Sequence, residues 1–189
     1  MTRIISGRAG SLRLEVPKAG TRPTSDRVRE AIFSALDSWG MLDGCRVLDL
    51  YAGSGALALE AVSRGAASAT LVEKHPQAAG VAQRNARTVA AAFREASPSI
   101  AVVRQSVQGF LEAADPAAPF DVVMIDPPYD LGDTELTANL AALVPLLAEG
   151  AVVLVERSSR SPEPAWPSGL ERIREKRYGE TRLWWAEIA

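Results

Sequence analysis

Val47-Leu48-Asp49-Leu50-Tyr51-Ala52-Gly53-Ser54-Gly55 runs from a short apolar strand directly into a glycine turn, and residues 56–63 then read as a helix. A buried strand that turns through glycines into a helix is the repeating unit of a parallel α/β sheet. The alternation continues downstream. Residues 69–73 predict a second strand, followed by a helix over about 76–94. Residues 99–103 predict a third, with a short helix over 107–113, and residues 120–125 a fourth. A helix over 133–147 and a fifth strand over 151–155 follow. Strands this apolar need helices on both faces. Residues 170–176 and 181–188 flank Tyr178-Gly179-Glu180 and read as an antiparallel hairpin on the sheet edge. The fold class is therefore α/β: a mostly parallel seven-stranded sheet with an antiparallel C-terminal hairpin.

Upstream the pattern differs. Leu12, Leu14 and Val16 alternate with Ser11, Arg13 and Glu15, and Gly7-Arg8-Ala9-Gly10 supplies a turn, so residues 3–16 predict a small hairpin. Pro17, Gly20 and Pro23 mark a loop over 17–24. Thr24 or Ser25 can cap a helix through about Asp37, with Val28, Ala31, Ile32 and Ala35 on one face. The expected division is a basic hairpin extension over 1–24 and one main domain over 25–189.

Length and composition agree with one globular domain: 189 residues, 47% hydrophobic and 23% charged. The net charge of −2 speaks against a nucleic-acid binder until its distribution is considered. Residues 1–30 carry seven Lys/Arg against three Asp/Glu, whereas residues 31–169 carry nine against sixteen. Positive charge is thus gathered at the start of the chain, where it can mark a partner surface. Cys45 is the single cysteine and His75 the single histidine, so no internal disulfide and no Cys/His zinc cluster is expected, and no metal. The first residues lack the apolar core of a signal peptide, and no window has the ~18 apolar residues of a membrane span. A cytoplasmic protein, free of membranes, is expected.

The glycine turn is the first chemical signal. Gly53-Ser54-Gly55-Ala56-Leu57-Ala58 satisfies the looser dinucleotide pattern G-x-G-x-x-A, and Glu73 ends the second strand where an acid binds ribose hydroxyls. That region alone admits both a nicotinamide dinucleotide and S-adenosylmethionine (SAM). Asp49 tilts the choice. A carboxylate beside the turn repels a pyrophosphate but accepts bonds from an ammonium, and SAM carries an ammonium and a sulfonium with no phosphate.

Asp126-Pro127-Pro128-Tyr129 is the second signal, directly after the apolar Val122-Val123-Met124-Ile125. Two prolines remove two backbone donors and stiffen the turn, leaving carbonyls to accept bonds from a substrate. Asp126 adds a carboxylate acceptor, and Tyr129 a flat face on which a base stacks, worth ~1–3 kcal/mol in nucleic-acid complexes. An exocyclic amine on a nucleobase needs such a site. Its lone pair is delocalised into the ring, and acceptors on its two N–H bonds favour pyramidalisation and expose that lone pair to a methyl group.

Together these motifs resemble those of SAM-dependent amino-methyltransferases of Rossmann-like class I fold. The N-terminal segment narrows the resemblance. Arg3-Ile4-Ile5-Ser6-Gly7 and Thr21-Arg22-Pro23-Thr24-Ser25-Asp26-Arg27-Val28-Arg29-Glu30-Ala31-Ile32-Phe33 are similar to the bacterial family that methylates the N2 amine of one guanine in 16S ribosomal RNA, as is Lys176-Arg177-Tyr178-Gly179. The similarity covers essentially the whole chain. It implies that Asp49, Ala52, Gly53, Ser54 and Gly55 line the methionine side of SAM, with Tyr51 in the same turn. It implies that Glu73 binds the ribose, with Lys74 beside it, and that Ser106 and Val107 flank the adenine. Ser106 stands where many methyltransferases carry Asp, which implies a backbone contact there. Asp126, Pro127, Pro128 and Tyr129 would hold the guanine, Arg22 and Thr24 would lie at the site's mouth, and Arg3, Arg8 and Arg13 would grip RNA. The implied partner is the 16S rRNA of an assembled or assembling 30S subunit, bound by a monomer, with S-adenosylhomocysteine as the co-product.

Other readings remain open on the residues themselves. They are an adenine-N6 methylase of DNA, a methylase of a glutamine amide, an NAD-binding oxidoreductase, and a module that binds SAM or RNA without turnover. Asp126 in place of Asn disfavours the amide methylases. A chain of 189 residues has no room for the large target-recognition insert usual in DNA adenine methylases.

Overall fold

The computed structural model describes residues 2–17, 24–94 and 96–189. A seven-stranded sheet organises them. It comprises β3 (Arg46–Leu50), β4 (Ser68–Val72), β5 (Ser99–Val103), β6 (Phe120–Ile125), β7 (Leu147–Ser158), β8 (Leu170–Tyr178) and β9 (Thr181–Ile188). Their spatial order is β5-β4-β3-β6-β7-β9-β8. The first five run parallel; β9 pairs antiparallel with both β7 and β8, and β5 and β8 are the two edge strands. The sheet reverses direction of growth between β3 and β6, the switch point at which ligands of open α/β sheets bind.

Strand side chains alternate between two cores, as a period of two requires. Val47, Val122, Met124, Val152 and Leu154 face one side, where α1 (Asp26–Ser38), α2 (Ala56–Ser63) and α3 (Pro76–Ala90) cover them. Leu48, Leu50, Val123, Ile125, Val153 and Val155 face the other, under α4 (Val107–Ala113) and α5 (Asp133–Leu143). Both faces of the central strands are therefore dry, which is why they read as continuous apolar runs.

The expected elements are present, with corrections at their boundaries. α3 ends at Ala90 rather than near 94, because the amides of Ala92 and Phe93 tighten onto Val89 and Ala90 in i−3 bonds. α5 ends at Leu143 rather than 147: Pro145 has no amide hydrogen to donate, and a single 3-10 turn over Val144–Leu146 replaces the last helical turn. β7 extends to Ser158 rather than stopping at 155, since β9 pairs with Glu156, Arg157 and Ser158.

The N-terminal hairpin is shorter than its alternation suggests. Its strands β1 (Thr2–Arg3) and β2 (Arg13–Leu14) have two residues each. The connecting loop spends its amides on α2 instead of on a partner strand. Ile5 and Ser6 donate to the two carboxylate oxygens of buried Glu60 at 2.7 and 3.0 Å; Arg8 and Ala9 donate to the carbonyl and hydroxyl of Ser63 at 2.8 and 2.9 Å. Gly7 makes this approach possible: its φ is +86°, and a Cβ there would sit 2.0 Å from the Ser63 carbonyl oxygen. The Ser25 hydroxyl caps α1, accepting from the Val28 amide at 3.3 Å.

Candidate active site

Strand register brings the two motifs together. β3 and β6 are parallel neighbours with Leu50 opposite Ile125, so Tyr51 and Asp126 leave the sheet side by side at its carboxyl end. Adjacent strands lie only about 4.8 Å apart, so the glycine turn and the proline turn open onto one cleft.

The glycine turn is tightly determined. Tyr51, Gly53 and Gly55 all have positive φ, at 64°, 56° and 81°. Gly55 can only be glycine without displacement, because a Cβ would stand 2.5 Å from Leu71 Cδ2. A Cβ on Gly53 would meet nothing within 4 Å, so the space over that residue is open to a ligand. Glu73 holds the turn shut from the end of β4: its carboxylate accepts from the Gly53 amide at 2.9 Å and from the His75 amide at 2.8 Å. Asp49 is buried and accepts from the Ala58 amide at 3.2 Å, in the first turn of α2. Burial pushes its carboxyl up to about 8, against the pull of that amide and with the charges of Asp126 and Glu73 adding to the rise. Two buried carboxylates at a turn fit an ammonium, a sulfonium and a ribose, and do not fit a pyrophosphate.

The remaining residues implied for the cofactor are placed as follows. Tyr51 keeps its backbone in the turn, but its hydroxyl donates to Asn139 Oδ1 on α5; Asn139 in turn donates to Gln108 at 2.8 Å. Ala52 donates its amide to the Val72 carbonyl at 3.0 Å, and the Ser54 carbonyl accepts from Asn85 at 2.9 Å. Lys74 is exposed just past the end of β4. Ser106 uses its hydroxyl to cap α4, accepting from the Gly109 amide at 3.2 Å, with Val107 buried beside it. The capping bond uses one lone pair of that hydroxyl and leaves its hydrogen free to donate.

At the proline turn, Pro127 is buried, Pro128 exposed, and Tyr129 72% exposed, an unusual degree for a large aromatic. Asp126 is met from the far end of the chain: the Thr24 hydroxyl lies 3.1 Å from its Oδ2. The same hydroxyl lies 3.3 Å from Oε2 of Glu156, which follows β7 residue Val155, the register partner of Ile125. Burial raises both carboxyls above their ordinary range. The charge of Asp126 adds to the rise at Glu156, while the Thr24 hydrogen bonds oppose it. The cleft here is lined by Asp126, Pro127, Tyr129, Glu156, Ser158 and Thr181, among others.

Arg3, Arg8 and Arg13 are exposed on the N-terminal hairpin, with Arg8 stacked over Phe93 at 5.8 Å. Arg8 lies at the Ser63 end of α2, where its amide donates to the Ser63 carbonyl, about 10 Å along the helix axis from the glycine turn. Arg22 falls outside the described residues. Among the described residues no group of three or more metal-binding side chains gathers, and no helix is long and apolar enough to cross a membrane.

Sequence reasoning misses two residues of this site. Glu156 ends an apolar run just as Asp126 does, and that parallel is its only signal. Asn85 interrupts the buried face of α3 formed by Ala78, Val81, Ala82, Ala86 and Val89. Its amide nitrogen reaches the Ser54 carbonyl and the Glu15 carbonyl, at 2.9 and 3.0 Å, and its oxygen accepts from the Glu15 amide at 2.8 Å. Asn85 thus ties the N-terminal segment to the glycine turn.

A family described as conserved hypothetical protein 95 matches residues 2–187. The chain belongs to that family. Similar chains include the ribosomal RNA small subunit methyltransferase D of Escherichia coli, 37% identical over 179 residues, which are 94% of this chain and 85% of the relative. The counterpart from Haemophilus influenzae is 34% identical over 161 residues, 85% of this chain and 80% of the relative. The solved structure of a hypothetical protein from Thermus thermophilus superposes with a TM-score of 0.82 at 32% identity, covering 100% of each chain. A magnesium protoporphyrin IX methyltransferase from Synechocystis PCC 6803, solved with bound SAM, superposes at 0.66 with 15% identity, over 90% of this chain and 87% of that one. The last shares the fold alone. The expected class I SAM-methyltransferase fold and the expected family are both borne out.

Proposed function

We propose that this chain transfers a methyl group from SAM to the exocyclic N2 amine of a specific guanine in 16S ribosomal RNA. The observation that carries this reading is the junction of β3 and β6, where a cation-seeking glycine turn and an amine-holding proline turn share one cleft. The names of relatives such as the Escherichia coli enzyme support ribosomal RNA of the small subunit as substrate.

Each group has its own part. Asp49 draws the amino group of SAM, directly or through water, and Gly53, Ser54 and Gly55 bring backbone close to its methionine part. Glu73 keeps lone pairs for the ribose hydroxyls beyond the two amides it already accepts. Ser106 and Val107 border the adenine. When bound, SAM supplies the methyl group in line from sulfur to nitrogen and leaves as S-adenosylhomocysteine. Asp126 and the Pro127 carbonyl accept the two N–H bonds of the target amine and turn its lone pair toward the methyl carbon. Tyr129 stacks on the base once it is drawn out of the RNA. The proton lost by the methylated amine passes to Asp126 or to water. Most of the acceleration then comes from holding two reactants in line. Arg3, Arg8 and Arg13, on the extension over 1–24, grip RNA phosphates.

Supplying labelled SAM to small ribosomal subunits, naked ribosomal RNA and duplex DNA in parallel tests the proposal. Label is expected at one guanine of small-subunit RNA. Label in DNA alone, in adenine, or nowhere would overturn it.

A further inference from the structure

Two carboxylates stand on neighbouring strands at the base side of the cleft, one just past β6 and one within β7, and the proposed methyl transfer uses only the first. Asp126 follows β6 and Glu156 lies one residue past Val155 on β7, with Ile125 opposite Val155 in parallel register. A single hydroxyl, that of Thr24, lies within hydrogen-bond reach of both, at 3.1 and 3.3 Å. A hydroxyl has one proton to give, so it cannot donate fully to both. Neighbouring Arg157 also lines the cleft, with its guanidinium donating to the Leu131 carbonyl and to Asp133, each at 3.1 Å. Two acidic groups brought this close in a partly buried cleft repel each other, and a ligand rich in hydrogen-bond donors relieves that repulsion.

Guanine presents such an edge. Its N1–H and the two hydrogens of its N2 amine form a row of three donors. Asp126 and the Pro127 carbonyl absorb the two amine hydrogens, which leaves N1–H. Adenine differs at that position: the atom beside its amine is a bare acceptor nitrogen, which a carboxylate repels.

We infer that Glu156 is the residue that selects guanine, accepting the N1–H of the target base while Asp126 and Pro127 hold its amine. This rests on the proposed guanine-N2 activity and adds the group that reads the base. Thr24 then acts as a positioning residue and keeps the two carboxylates at the separation of the guanine edge. The amine alone does not require Glu156, because it needs two acceptors and has them.

The test uses the whole protein on small-subunit RNA in which the labelled position, once mapped, carries either guanine or 2-aminopurine. Both have the N2 amine, but 2-aminopurine has a bare acceptor at N1. The wild-type enzyme is expected to favour guanine in kcat/KM by roughly tenfold to a hundredfold, the scale of one buried polar group left unpaired. Glu156→Gln is expected to narrow that ratio at least severalfold, because its amide can donate to the bare N1, with SAM affinity and Tm measured alongside. Equal use of the two bases by the wild-type enzyme would overturn the inference without any variant. A Glu156→Gln enzyme that loses activity on both bases in proportion would overturn it as well, leaving Glu156 a scaffold for Thr24. Absence of label at any guanine would instead strike the underlying activity, so the two failures are distinguishable.

Discussion

The two halves of the cleft are built differently. At the cofactor end, carboxylates are answered by nearby backbone: Glu73 by the amides of Gly53 and His75, Asp49 by that of Ala58. At the base end, Asp126 and Glu156 face each other, with one hydroxyl from Thr24 between them. The first arrangement is closed by groups within 20 positions in sequence, and its turn is held before any ligand arrives. The second joins three separate segments, and among the described residues the Thr24 hydroxyl is the donor that reaches both carboxylates. A preformed turn suits a cofactor that must bind in the same pose every cycle. A pair of carboxylates that shares one hydroxyl suits recognition, because a donor-rich base can answer both.

The largest expected effect separates the two ends by function. Asp126→Ala is expected to lower the rate of methyl transfer by about two to three powers of ten, the scale of removing one preorganised polar contact from a reacting group. SAM affinity, measured by calorimetry, should change less than severalfold. A variant that loses SAM instead would merge the two ends into one.

Glu73→Ala is expected to do the reverse. It removes a ribose acceptor and strips the Gly53 amide of the turn and the His75 amide before α3 of their partner. The Kd for SAM should rise at least about tenfold, consistent with ~1–3 kcal/mol for an unmet buried group. Transfer at saturating SAM should fall much less. An equal loss in both quantities would show that the glycine turn also positions the base.

Gly55→Ala and Gly53→Ala probe how rigid the cofactor end is. Both replace a positive-φ glycine, a cost of about 1–2 kcal/mol. Only at Gly55 does the new methyl also collide, with Leu71. Urea unfolding should therefore show a larger loss for Gly55→Ala, by about 1 kcal/mol or more. Equal losses would mean that Leu71 swings aside freely.

The smallest expected effect concerns the base end and pH. Asp126 and Glu156 are both raised in the folded chain, so the fold holds their protons more tightly than the unfolded chain does. Their stabilising contribution is complete below the ordinary carboxylate range near ~4 and is lost as pH rises through the raised values. Asp126→Asn cannot ionise and removes the repulsion. Without ligands, its Tm relative to wild type should rise from pH 5 to pH 8, by a few degrees at most. A constant difference across that range would show that the pair carries no electrostatic strain.

Much of this is legible in one dimension. The strands of the central sheet announce themselves because burial on both faces makes them uniformly apolar. The glycine turn and the proline turn are local, so their composition betrays them. Elements whose extent has a distant cause are harder to read. The N-terminal strands are short because Glu60 and Ser63 take the loop amides. β7 is long because β9, from the end of the chain, pairs with its last residues. Asn85 looks like one polar residue among alanines, and only its contacts with Glu15 and Ser54 reveal its part.

By itself the sequence determined the class of fold, the family and the two turns that carry cofactor and base chemistry, because each is written in short-range pattern: alternation, apolar runs and backbone-shaping glycines and prolines. The tertiary structure alone decided which carboxylate stands beside Asp126. Thr24 lies 102 residues before Asp126 and 132 before Glu156. Only parallel strand register, set by the pairing of β6 with β7, places the two carboxylates where one threonine reaches both.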